Sequence, residues 1–345
     1  MNPSSEAAPA DGAVLTIAAL EARVGARTSA VDLKVIDHLD AQARRWLVAS
    51  PLAFAGFSDA RQVSVTAAGG VPGFAAAVGD NRLRLPLAAL DDPALAQPGR
   101  GAGLLFLVPG LGETLRVNGR VVAAGAEAAE IAVDECYAHC AKALLRSDFW
   151  RPDPPPTEPA DAAAFLRASR FMALATADAQ SHTDLSPKGD PAGLLVQAFG
   201  SDLVFADRPG NRRTDSLRNL LARPRAAALL LVPGRAQVAV FEGGTALSAD
   251  PQQRQAFAVQ DKTPHLVTRF ASPTLVLRDS AALARARPWA VPPVPPADID
   301  PAAVFAAHVK LNKTGGLRAA LTKGVVAIPG LMRKGLDKDY KTRLY

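Results

Sequence analysis

The chain has 345 residues, of which 49% are hydrophobic, and a formal net charge of +6 at pH 7. That length and apolar content suit two domains with cores of their own and exclude a largely disordered chain. Two cysteines exclude a disulfide framework and fit a reducing compartment, so a cytoplasmic location is expected.

The charge is uneven along the chain. Residues 301–345 hold nine Lys or Arg against Asp337 and Asp339, and the rest carries 30 Lys or Arg against 31 Asp or Glu. The basic balance belongs to the tail, so no nucleic-acid partner is expected for the body.

In chain order, residues 1–34 are rich in Ala, Ser and Glu and are expected to form a poorly ordered lead-in without a basic-plus-apolar signal peptide. Residues 35–151 read as a first folded unit. It opens with a helix over Asp40–Ala49 and continues in short apolar strands broken by Gly, Pro and Asp. A Gly- and Pro-free helix is expected over Ala132–Arg146, ending near Trp150. The Pro-rich stretch 152–160 is a stiff linker.

Residues 161–287 form a second unit, with a helix over Asp161–Ser169. Strands are expected at Phe171–Ala177, Leu194–Ala198, Asp202–Ala206, Ala226–Val232 and Ala236–Phe241. An amphipathic helix over Arg213–Ala222 is stopped by Pro224. Residues 288–300 are a second Pro-rich connector, and 301–345 a basic tail. Closely spaced strands with one helix among them indicate a small antiparallel barrel per unit, not a doubly wound parallel sheet.

The two units repeat one another. Gly103–Gly110 (GLLFLVPG) returns as Ala227–Gly234 (AALLLVPG), and Val71–Phe74 answers to Pro191–Leu194. The chemistry-bearing residues divide between the copies. Copy two has Ser186-Pro187-Lys188-Gly189-Asp190 and Arg208-Pro209-Gly210-Asn211-Arg212-Arg213, with Ser216 in the following helix. Guanidinium groups, a lysine, hydroxyls and the amino end of a helix together suit a phosphate group. Copy one has bland residues there. It keeps Glu113-Thr114-Leu115-Arg116-Val117-Asn118-Gly119 and Glu135-Cys136-Tyr137-Ala138-His139-Cys140-Ala141-Lys142 instead. A split of this kind predicts one composite site between the halves.

These segments resemble the pyridoxamine 5′-phosphate oxidase-like, FMN-binding split-barrel superfamily. Its members usually carry one barrel per chain and dimerise around FMN. The resemblance implies a mainly β fold with helices: two tandem split β-barrels forming an intramolecular pseudo-dimer, plus a basic helical C-terminal tail.

For the site, the resemblance implies that Lys188, Arg212, Arg213 and Ser216 hold the FMN phosphate, with Arg208 and Asn211 in the same loop. The Ser186, Gly189 and Asp190 backbone would follow the ribityl chain and ring edge. From copy one, a helix over 135–146 would cap the cofactor with His139, Cys140 and Lys142, with Arg116 and Trp150 nearby. His139 is the candidate proton-handling group.

The function this implies is an FMN-dependent oxidoreductase acting on a small organic substrate or oxygen. The alternative is a non-catalytic flavin- or haem-binding carrier or sensor. Cys136, His139 and Cys140 would share one face of the expected helix, but no fourth ligand accompanies them and no metal site is assigned. His38, His182, His265 and His308 are read as structural.

The tail mixes apolar and basic residues and is too short in apolar runs to span a bilayer. A helix packed over the barrels is the preferred expectation. Peripheral membrane contact through residues 301–345 is the alternative, and homodimers of the fused pair are also allowed.

Overall fold

The computed structural model describes residues 12–27, 31–151, 161–210, 213–290, 293–314, 330–342 and 344–345. The linker 152–160 and the candidate residues Asn211 and Arg212 lie outside the described residues.

The duplication is written in the strand order. Copy one contains β1 (Leu52–Ser58), β2 (Val63–Gly69), β3 (Ala76–Val78), β4 (Arg82–Pro86), β5 (Gly101–Leu107), β6 (Thr114–Ala124) and β7 (Ala128–His139). They form one antiparallel sheet in the order β2-β1-β5-β6-β7-β4-β3. Copy two contains β8 (Phe171–Ala177), β9 (Thr183–Gly189), β10 (Gln197–Phe199), β11 (Asp202–Ala206), β12 (Arg225–Leu231), β13 (Gln237–Ser248), β14 (Val267–Phe270) and β15 (Val276–Asp279). Its order, β9-β8-β12-β13-β14-β11-β10, repeats that of copy one strand for strand, with β15 added beside β13. The fold is therefore mainly β with helices, in two tandem barrel-like units.

Each unit has its own apolar core. One gathers around Trp46, Phe57, Leu104 and Phe106, the other around Phe165, Phe205, Leu230 and Phe241. A third core joins the units. Phe54, Val65 and Leu105 from copy one meet Phe171, Leu185 and Leu229 from copy two, and the Phe54 and Phe171 rings lie 5.3 Å apart. Strands β1, β2, β5, β8, β9 and β12 meet here. Of these β1, β5, β8 and β12 are buried on both faces, and their sequences accordingly run apolar and small with little alternation.

Helices α2 (Ala41–Ala49) and α4 (Ala162–Ala168) open the two copies. Each is N-capped by an aspartate, Asp40 and Asp161, that accepts a backbone N–H. Helices α3 (Lys142–Arg146) and α7 (Ala281–Ala286) occupy equivalent places against β9 and β2. Between these, α5 (Asp215–Ala222) and α6 (Pro251–Gln255) belong to copy two.

Three expectations are corrected. The helix expected over 132–146 is a strand to His139, with only 142–146 helical. The buried residues Ala129, Ile131 and Val133 alternate with less buried neighbours, the period of a strand, and pairing with β6 overrides the helix-favouring composition. The strand expected at 194–198 is Gln197–Phe199, because Leu194 sits in the turn after Pro191. The lead-in is ordered in part. Helix α1 (Ile17–Val24) docks on copy two with Leu20 fully buried, and Val14 hydrogen-bonds to Leu247.

The tail contributes α8 (Pro301–Leu311), packed on copy one through Val304 and on Leu33 of the lead-in through Val309, and α9 (Leu331–Thr342). No helix among the described residues is long and apolar enough to cross a membrane.

Candidate functional site

Strand β9 positions the centre of the site. Its side chains alternate, so Asp184, Ser186 and Lys188 share one face, and that face meets residues of copy one. A cavity of about 530 Å³ opens there, within the range of small-molecule sites. Both copies line it. Copy two supplies Ser186, Lys188, Gly189, Asp190, Arg208, Arg213 and Ser216, and copy one supplies Arg116, His139, Cys140 and Lys142. Eleven of the sequence-predicted residues are thus brought together.

Trp150 is not among them. It donates to the Leu111 carbonyl and packs edge-on against Phe149, joining the core between the copies. The Cys136–His139–Cys140 helix face is also overturned. Cys136 points into the copy-one core from β7, and Cys140 lies beyond the strand end. No group of three metal-ligating residues occurs among the described residues.

The copies are joined by a buried polar network at one end of the cavity. Arg116 Nη1 donates to Asp184 at 2.6 Å and to Tyr137 Oη at 2.8 Å, and its Nη2 donates to Ser186 Oγ at 3.0 Å. Ser186 Oγ and Ser216 Oγ lie 2.6 Å apart. Asn118 bridges Glu135 and Asp184. Arg213 pairs with Asp215 and Glu135 and stacks on the Tyr137 ring, 4.2 Å from its centroid. Burial raises the Glu135 carboxyl above the usual carboxylate range against the opposing pull of Arg213.

At the other end Arg208 pairs with Asp190 at 2.8 Å, Lys188 faces Asp207 at 3.8 Å, and Arg146 donates to the Pro209 carbonyl.

Three features of this cavity suit an anionic ligand. Seven Lys or Arg side chains line it against three Asp. Helix α5 starts at its wall without a side-chain cap, so its first-turn N–H groups are left for another acceptor. Finally, Arg116 Nε, Arg208 Nη2 and His139 Nδ1 are buried without a hydrogen-bond partner, a state that polar groups in a finished core avoid.

His139 is held neutral well below its usual titration range, first by burial and then by the nearby positive charges of Arg116 and Lys34. Lys34 is itself buried, donates to the Ala138 carbonyl at 2.7 Å, and is pushed down to about 8 by desolvation.

Sequence reasoning missed part of this lining. Lys262 and His265, in the loop before β14, line the cavity, as do Arg146 and Tyr345. His265 is thereby removed from the structural histidines. No spacing rule links these positions to residues 186–216. The one local signal is at Arg146, which stands four residues after Lys142 and so falls on the same side of a helix.

An internally duplicated antiparallel barrel pair with one anion-adapted pocket between its halves defines the class. Residues 159–286 match the family model described as pyridoxamine 5′-phosphate oxidase. The match falls on copy two, and copy one repeats the strand topology of copy two.

No curated protein matches the chain. Among solved structures, HupZ of Group A Streptococcus is 12% identical, over 32% of this chain and 86% of that one, with a TM-score of 0.27. A histidine-to-alanine variant of HupZ is also 12% identical, over 33% and 93%, with a TM-score of 0.28. The MrkH–c-di-GMP complex of K. pneumonia is 9% identical, over 69% and 83%, with a TM-score of 0.19. At these TM-scores none of them bears on the site.

Proposed function

We propose that the chain is an FMN-dependent oxidoreductase with a single composite flavin site, acting on a small organic substrate or oxygen. The observation that carries this reading is the two-sided cavity, where the Ser186, Lys188, Arg213 and Ser216 set of copy two faces Arg116, His139 and Lys142 of copy one. The cavity is built within one chain, so a second copy is not needed to complete it. A bound FMN would supply hydride or electron-pair transfer.

The protein's own residues bind, orient and exclude water. Ser186 and Ser216 hydroxyls, the α5 amino end and Arg213 form the phosphate cradle. Arg116 keeps the Ser186 hydroxyl in place while Asp184 balances its charge. His139, held neutral by burial and by the nearby charges of Arg116 and Lys34, faces the cavity and is the candidate proton-handling group. Two free thiols, one buried, favour a reducing, cytoplasmic setting.

The test is the spectrum and stoichiometry of the purified protein, followed by Arg213→Ala with Ser216→Ala. Flavin bands at one FMN per chain are expected. The double variant should weaken FMN by about 100-fold, the loss of roughly two hydrogen bonds to a charged group. A haem Soret band, no cofactor uptake, or unchanged affinity in the double variant overturns the assignment. Bound FMN without turnover of any donor–acceptor pair would favour the carrier or sensor alternative.

A further inference from the structure

The tail beyond α8 returns to the cavity and touches both copies at its mouth. Asp339 pairs with Lys142 at 2.8 Å, although Lys142 is almost fully buried. Tyr340 Oη accepts the Ala141 N–H at 3.2 Å and donates to Glu113 at 3.0 Å. Burial, with Glu113 beside it, raises the Tyr340 phenol far above its ordinary range and keeps it a neutral donor. Arg146 Nε donates to the Leu344 carbonyl at 2.6 Å, and Lys262 Nζ to the Tyr345 main-chain oxygen at 3.1 Å. The Tyr345 ring lies between two guanidiniums, 5.6 Å from Arg146 of copy one and 5.5 Å from Arg208 of copy two.

Tyr345 lines the cavity, and about 530 Å³ remains open beneath it. The segment is therefore a wall over the space and not a plug within it.

From this geometry we infer that the end of the tail, held by Asp339, Tyr340, Leu344 and Tyr345, is a strap that closes the composite pocket and sets how fast its ligand enters and leaves. Tyr345 provides the aromatic face of the lid. The inference rests on the reading of this pocket as the ligand site, but not on which ligand fills it. Asp339 and Tyr340 are the latches, because they hold the strap to copy one from outside the cavity lining.

The experiment uses the full chain and two independent readouts. Cys140 lines the cavity while Cys136 is fully buried in the copy-one core, so alkylation by iodoacetamide reports pocket access without any cofactor. The Asp339→Ala, Tyr340→Phe double variant should label Cys140 about tenfold faster than wild type, as expected when two hydrogen-bonded contacts, one of them ionic, are lost. Its FMN release, followed by flavin fluorescence, should accelerate by a similar factor.

Equal Cys140 labelling in the two proteins, with circular dichroism confirming that both are folded, overturns the strap. A wild type that takes up no FMN while the labelling rates differ overturns the flavin assignment and leaves the strap supported.

Discussion

The molecule contains two grooves of the same construction, and only one was left open. In each, a short helix of the chain lies across the edge strand of a copy. Helix α3 lies on β9 so closely that a Cβ on Gly189 would overlap the Ala143 carbonyl oxygen. Helix α7 lies on β2 so closely that a Cβ on Gly69 would overlap the Ala282 carbonyl oxygen. Backbone placement is therefore shared, and side chains make the difference.

Strand β9 presents Asp184, Ser186 and Lys188. The equivalent positions on β2 are Ser64, Thr66 and Ala68. The groove over β2 is also filled. Thr66 accepts the Asp92 N–H, Asp91 accepts from Ser280 and from the Ala282 N–H, Arg278 pairs with Asp92, and Arg285 donates to the Gly69 and Ala89 carbonyls. These pairs make the β2 groove a structural joint, although Ser64 Oγ and Arg278 Nε stay buried there without a hydrogen-bond partner. The β9 groove instead sets its orphaned donors around a cavity of about 530 Å³.

The sharpest way to separate the grooves is to disturb each at its glycine. Gly189→Ala and Gly69→Ala should each destabilise the protein by about 3 kcal/mol through forced displacement of a packed helix. In denaturant titrations the two should look alike, whereas FMN binding should fail only for Gly189→Ala. Loss of binding in both would show that the β2 groove also serves a ligand.

A second contrast is in pH. Lys34 lies beside the open groove, and its folded value of about 8 is below the ordinary lysine value of 10.5. Between those values the unfolded chain binds more protons than the folded one, so stability should rise with pH across that window. The expected gain is on the order of 3 kcal/mol. Lys34→Met should flatten that rise, and a wild-type curve that is flat across the window contradicts the burial of the charged form.

The smallest effect is expected at Asp91. Asp91→Ala removes the acceptor of the Ser280 hydroxyl and of the Ala282 amide and should cost about 1 kcal/mol by thermal unfolding. The FMN stoichiometry should stay at one, and a second equivalent appearing in this variant would mean that α7 only masks a competent site.

The sequence by itself determined the duplication and the mainly β class, and it singled out many of the residues that line the candidate cavity, because these are carried by local signals. Glycine, proline and aspartate punctuate the strands, aspartates cap α2 and α4, and the Ser186–Asp190 and Arg208–Arg213 runs concentrate anion-binding groups on adjacent loops. The repeat with unequal halves also pointed to a single composite pocket, and residues of both halves do line one cavity.

Tertiary structure decided what local signals do not carry. Residues 132–139 became a strand because β6 offered a pairing edge to a segment whose composition favours a helix. Trp150 went to the core between the copies because an apolar surface was available there. Arg116 found Asp184 across 68 positions of sequence. Lys262, His265 and Tyr345 joined the pocket from loops and a tail that share no spacing with it. Contacts between residues distant in the chain depend on how whole sheets pack, and no periodicity within one segment encodes that.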